Sequence, residues 1–245
     1  MTESDRTGCT MAVFDEYAKD YDKGHEDTVN ISGFGTDHFY EYKIKEIHRI
    51  LSEKKQKMPT SILDFGCGVG SVDPYIRKYF PDSKICAMDV SAESINTAKE
   101  KYGELGISYA AVDENDIKNP FGVQFDMVFV SCVFHHIPKE GHMGTLSFLR
   151  SCMSPDAHLF VFEHNPYNPA TRMVFNKHDK PTDKNANMIY PRYIKKLIRS
   201  SGLRLAALNY TVFFPKRLRV FIPLERFMVA IPFGAQYYVM AKAVP

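Results

Sequence analysis

Ser131 to Pro138 reads S-C-V-F-H-H-I-P, and Glu163-His164-Asn165-Pro166 follows some thirty residues later. Imidazole titrates near about pH 6.5 and can take a proton from an alcohol or amine at neutral pH. A carboxylate such as Glu163 can orient such a ring or strengthen its basicity. His135, His136, Glu163 and His164 are therefore the candidate acid–base groups, and the residues alone do not choose among the histidines. They contain no H-x-x-x-H or paired cysteine–histidine spacing, so no metal site is expected.

A second set precedes them. Ser61 to Ser71 reads S-I-L-D-F-G-C-G-V-G-S, with Gly66, Gly68 and Gly70 at alternate positions after the apolar run Ile62, Leu63 and Phe65. A glycine-rich turn between a buried strand and a helix admits backbone angles closed to other residues and lets a ligand approach the main chain. Asp64 stands where it can accept hydrogen bonds from loop amides or a cationic ligand. The run Lys84 to Met88 ends in Asp89, where a doubly wound sheet places an acid on ribose hydroxyls, and Ile107 to Val112 ends at Asp113. Three acids at the ends of successive strands line one crevice.

These residues resemble the first motif and later acidic positions of the class I S-adenosylmethionine-dependent methyltransferases, whose first motif is D-x-G-x-G-x-G. Asp64, Gly66, Gly68 and Gly70 match it position by position. The resemblance implies a cofactor, S-adenosyl-L-methionine with S-adenosyl-L-homocysteine as its product, held by Asp64, Gly66, Cys67, Gly68, Gly70, Asp89, Val90, Asp113, Glu114, Asn115 and Ser131. It also implies that F-D-E-Y-A-K-D-Y-D, with Tyr17 and Tyr21, is an N-terminal lid over the cofactor. The expected activity is methyl transfer to an oxygen or nitrogen of a small molecule, of the glycan or secondary-metabolite kind. The alternatives are a cofactor-binding protein of this fold with another reaction or a partner-subunit role, and a peripheral membrane enzyme acting on a lipid-linked acceptor.

A nicotinamide fingerprint fits less well, because Ser71 stands where G-x-G-x-x-G/A needs glycine or alanine. Asn165-Pro166-Tyr167 follows the fifth strand and lacks a second proline, so the N-P-P-Y role of nucleic-acid amino-methyltransferases does not carry over.

The elements that must position these groups alternate strand and helix. Strands are expected at Ile62–Phe65, Lys84–Met88, Ile107–Val112, Phe125–Cys132, Ala157–Glu163, Leu203–Phe214 and Ala235–Ala243. Helices are expected at Phe39–Lys55, Val72–Phe80, Ala92–Tyr102 (Ser91 as N-cap, Gly103 at its end), Lys139–Met153 and Tyr190–Ser201. The pattern predicts an α/β doubly wound, mostly parallel seven-stranded sheet with an antiparallel C-terminal hairpin, which the resemblance implies is a Rossmann-like methyltransferase fold. Residues 1–10 are expected to be disordered and Met11–Asp22 to form an amphipathic helix. Residues 1–58 form an N-terminal helical lid segment and 59–245 the catalytic domain, with an acceptor-selecting loop at 164–189 and an apolar insertion at 213–233. That insertion is expected to pack against protein.

The chain has 245 residues, 44% of them hydrophobic, and a formal charge of +2. So small a charge does not suggest a nucleic-acid partner. Five cysteines without a C-x-x-C pair do not suggest a disulfide framework. With neither a signal peptide nor a long apolar span in view, a cytoplasmic location is expected, and a homodimer is compatible with it.

Overall fold

The computed structural model describes residues 32–177 and 186–244. The expectations for residues 1–31, including the lid helix with Tyr17 and Tyr21, lie outside the described residues.

Seven strands form one sheet: β1 (Ser61–Phe65), β2 (Lys84–Asp89), β3 (Ser108–Ala111), β4 (Phe125–Ser131), β5 (Met153–His164), β6 (Arg204–Thr211) and β7 (Gln236–Lys242), in the order β3-β2-β1-β4-β5-β7-β6. The first five pair in parallel, and β7 runs antiparallel between β5 and β6. The doubly wound expectation holds, hairpin included. The registers Phe65↔Met88, Phe65↔Val130 and Ser131↔Phe162 bring the carboxyl ends of β1, β2, β4 and β5 level, so the residues after them share one edge.

Helices cover both faces because the central strands β1, β2, β4, β5 and β7 are buried on both sides. On one face Leu63, Met88, Val128, Val130, Leu159 and Val161 pack with Leu146 and Leu149 of α4 (His142–Cys152) and Ile194 and Ile198 of α6 (Pro191–Ser200). On the other, Ile62, Ile85, Phe129, Phe160 and Phe162 pack with Ile44, Ile47 and Leu51 of α1 (Thr36–Glu53) and Ile76 of α2 (Asp73–Tyr79). The helix α3 (Ala92–Tyr102) starts as expected, with the Ser91 hydroxyl accepting the Ser94 N–H.

α3 ends at Tyr102 with Gly103 as its C-cap, as expected, and a 3-10 turn then leads to Gly106 at φ +67°. Three local expectations change. β5 begins at Met153, before the expected Ala157, because its start pairs with Phe125 across a register shift. The 164–189 segment is not all loop: α5 (Pro169–Lys177) lies within it. The 213–233 insertion folds as a 3-10 segment (Lys216–Leu224) and one helical turn, α7 (Glu225–Met228), and leaves Val220 72%, Phe227 71% and Phe233 63% exposed. Pro215 and Pro223 keep these pieces too short to lay a continuous apolar stripe on the sheet.

Candidate active site

The glycine loop joins β1 to α2 with Gly66, Gly68 and Gly70 at φ +73°, +55° and +77°. A Cβ on Gly66 would lie 2.5 Å from Val133 Cγ2, so the loop can lie against the β4 loop only because no side chain intervenes. Asp89, at the end of β2, accepts the Gly68 N–H at 2.8 Å and the Ser91 N–H at 2.9 Å. Its carboxylate thus fixes the turn. Val90 is half-buried beside it. Asp113, Glu114 and Asn115 are exposed beyond β3, where Asp113 accepts the Asn115 N–H at 2.9 Å. Val112 donates to the Asp89 carbonyl, keeping this turn next to Asp89.

Asp64 does not bond the loop amides. It is buried and faces Asp73, the first residue of α2, which is fully buried and accepts the Tyr109 hydroxyl at 2.8 Å. Burial and the Asp73 carboxyl push Asp64 well above the usual carboxylate range, and burial pushes Asp73 up to about 7. Two carboxyls this close can hydrogen-bond only if one keeps its proton. Cys67, half-buried beside them, has its thiol pushed up by burial and by Asp73, Asp89 and Asp64.

The β4–β5 side is different. Glu163 is fully buried; it accepts the Phe134 N–H at 2.9 Å and lies 2.7 Å from His135 Nδ1. Burial raises the Glu163 carboxyl to about 7 against the pull of His164. The His135 ring centroid is 4.1 Å from that of His136 and 5.5 Å from that of His164, and Phe175 of α5 lies 5.8 Å from both His135 and His164. The structure thus gathers all four predicted acid–base residues.

Four residues were missed. Lys43, buried on the apolar stripe of α1, donates to Ser131 Oγ at 2.6 Å and lies 3.9 Å from Cys132 Sγ. The His164 imidazole, on the neighbouring strand end, helps to hold the Cys132 thiol below its ordinary range. His142 lies 2.9 Å from the carbonyls of Phe134 and Ile137, bracing the histidine loop. Asp73 is the fourth. The signal for Lys43 was a lone cation among isoleucines, and for Asp73 only its place three residues past the glycine motif. Among the described residues no group of three or more His, Cys, Asp or Glu side chains is placed to hold a metal ion.

The glycine loop and the Asp89 bonded to it thus stand in one crevice with groups that can exchange a proton, the Glu163–His135 pair and its neighbours. Residues 63–159 match the family described as methyltransferase domain. Over 84 residues the chain is 36% identical to malonyl-[acyl-carrier protein] O-methyltransferase 1 of Ilyobacter polytropus, covering 34% of this chain and 31% of that protein. Over 100 residues it is 29% identical to ribosomal RNA small subunit methyltransferase C of Colwellia psychrerythraea, covering 41% of this chain and 28% of that protein. The chain thus spans about a third of the length of these curated relatives. Among solved structures, the plantazolicin methyltransferase BpumL, crystallised with a monoazolic desmethylPZN analog and SAH, superposes with a TM-score of 0.67 at 14% identity, covering 96% of this chain and 95% of that one. Magnesium protoporphyrin IX methyltransferase from Synechocystis PCC 6803, with bound SAH, gives a TM-score of 0.56 at 16% identity over 83% and 82% of the two chains. At these identities the superpositions establish the fold. The motif at Asp64–Gly70, the methyltransferase-domain match over residues 63–159 and the fold thus agree on similarity to the class I S-adenosylmethionine-dependent methyltransferases.

Proposed function

We propose that this chain transfers a methyl group from S-adenosylmethionine to an oxygen or nitrogen of a small-molecule acceptor. One observation carries the reading: the glycine loop, bonded to Asp89, is packed on Val133 of the loop that bears His135 and His136. Nucleotide-holding and proton-handling groups thereby meet in a single crevice. The residues fit the cofactor. Asp89 can accept two vicinal ribose hydroxyls, the Asp113–Asn115 turn can face the adenine, and the glycine loop and Ser131 can face the amino-acid part. The bound cofactor supplies an electrophilic methyl on a sulfonium. The protein's own part is to hold the acceptor in line and to remove its proton. The Glu163–His135 pair, linked at 2.7 Å, fixes one imidazole at the end of β4, and His164 stands beside it.

The acceptor combines a polar reacting group with an apolar body. Asn165 Nδ2 donates to the carbonyls of Pro232 and Gly234, and Asn168 Nδ2 to that of Phe233, tying the exposed apolar insertion to the carboxyl edge of β5. Apolar side chains therefore stand at the same edge as the histidines. The names of the relatives range over malonyl-[acyl-carrier protein], ribosomal RNA, plantazolicin and magnesium protoporphyrin IX, so the acceptor class rests on this site. Its test is mass spectrometry of reactions with an acceptor library. A gain of one methyl group, dependent on S-adenosylmethionine and lost on changing His135 or His164 to Ala, is expected. Methylation of RNA but of no small molecule would overturn the acceptor class.

A further inference from the structure

Two half-buried thiols stand in the crevice, and their surroundings are opposite. Cys67 Sγ lies 3.6 Å from the Gly68 carbonyl, amid Asp64, Asp73 and Asp89. Cys132 closes β4 with φ +59°, a left-handed conformation unfavourable for a non-glycine residue. The turn is held by the Cys132 N–H bonded to the Phe162 carbonyl at 2.9 Å. It presents Sγ to Lys43 Nζ at 3.9 Å and to the His164 imidazole. Lys43 itself is buried, so its charge is little screened by water.

We propose that Cys132, with His164 and Lys43, forms a preformed thiolate site in the catalytic crevice and is the position at which soft electrophiles, alkylating agents and peroxides, modify this protein. A thiolate is the nucleophilic form of cysteine, and neighbouring cations stabilise it. Burial works against the anion, yet Lys43 and His164 bring Cys132 down to about 6, while the Cys132 thiolate in turn raises His164. The other groups facing it are Glu163 on β5, which opposes ionisation, and Tyr237 on β7. Cys86 and Cys152 are buried and raised, Cys152 to about 11.

With hydrogen peroxide, the thiolate sulfur attacks one peroxide oxygen and the O–O bond breaks. The departing hydroxide takes the proton of the His164 imidazolium and leaves as water. Sulfur loses two electrons, becoming a sulfenic acid, and the peroxide is reduced. With iodoacetamide, the S–C bond forms as iodide leaves with the bonding pair.

The test is peptide mapping of the full chain after a brief pulse of iodoacetamide across pH 5–9. Cys132 is expected to label at least about tenfold faster than Cys67 at pH 7, with a rate that rises through about pH 6. Lys43→Met, with Lys43→Arg as a charge-keeping control, should slow Cys132 labelling several-fold and move its profile upward, with the circular dichroism spectrum unchanged. Equal labelling of Cys132 and Cys67, or a Cys132 rate that rises only above pH 8, overturns the proposal. Its place in the crevice rests on the cofactor reading, so calorimetry with S-adenosylhomocysteine accompanies the pulse. Binding with protection of Cys132 supports the placement; binding without protection overturns it. Absence of binding overturns the cofactor reading and leaves the thiol assignment to the labelling rates.

Discussion

On the β1–β2 side of the crevice, carboxyls are crowded together and their protons are hard to remove. On the β4–β5 side, a lysine and histidines surround a thiol and a carboxylate. Cys67 and Cys132 report the difference, since burial affects both yet one thiol is pushed up and the other brought down to about 6. Burial alone therefore does not set these groups; the sign of the nearest charge does. The acid side suits a cationic, hydroxyl-rich ligand, and the basic side suits a group that must lose a proton. Val133 against Gly66 is the joint between them.

Breaking that joint should have the largest effect. Gly66→Ala places a Cβ 2.5 Å from Val133 Cγ2 at a φ of +73°. Destabilisation of roughly 3 kcal/mol or more by urea unfolding is expected, from overpacking plus the left-handed backbone. Adding Val133→Ala should recover the steric part but not the backbone part. Full recovery would show that the φ carries no cost.

Glu163→Ala acts on the basic side alone. It leaves the Phe134 N–H and His135 Nδ1 without their buried acceptor. Stability should fall by about 1–3 kcal/mol, with Glu163→Gln costing less because one acceptor oxygen remains. Equal cost for the two would make Glu163 a packing residue.

Asp73→Asn sharpens the acid side through pH. A carboxyl whose folded value is raised holds its proton where the unfolded chain has released it. Its stabilisation is therefore complete below the unfolded carboxylate range and is lost as pH rises through about 7. The amide cannot ionise and can still accept from Tyr109. Differential scanning calorimetry should find the variant's Tm close to that of the unaltered chain at pH 4 and higher by roughly 4–8 °C at pH 8, equivalent to about 2 kcal/mol. A constant difference across pH would remove Asp73 from the titrating pair. The smallest effect belongs to Phe227→Ser in the exposed insertion, where a stability change within about 0.5 kcal/mol is expected by urea unfolding.

Much of this was legible from local chemistry. Alternate glycines after an apolar strand required left-handed angles, and Asp89 had to sit at the end of the next parallel strand because the alternation of elements fixed the topology. Ser91 as a cap was written in its neighbours. What escaped was set by distance. Lys43 meets Ser131 and Cys132 across almost ninety positions, and no spacing rule connects them. Asp73 reads as an ordinary first-turn acid until Asp64 is placed beside it. The insertion misled for a related reason: apolar composition predicts burial only where a continuous face can form, and its prolines prevent one.

The most direct measurement is calorimetric titration of the full chain with S-adenosylmethionine and S-adenosylhomocysteine, beside Asp89→Ala. Both ligands should bind the unaltered chain at one per molecule, and the variant should lose roughly 10–150-fold in affinity, the equivalent of about 1.5–3 kcal/mol for hydrogen bonds to a charged group. No binding to the unaltered chain, or equal affinity in the variant, would contradict the assignment of this crevice to the cofactor.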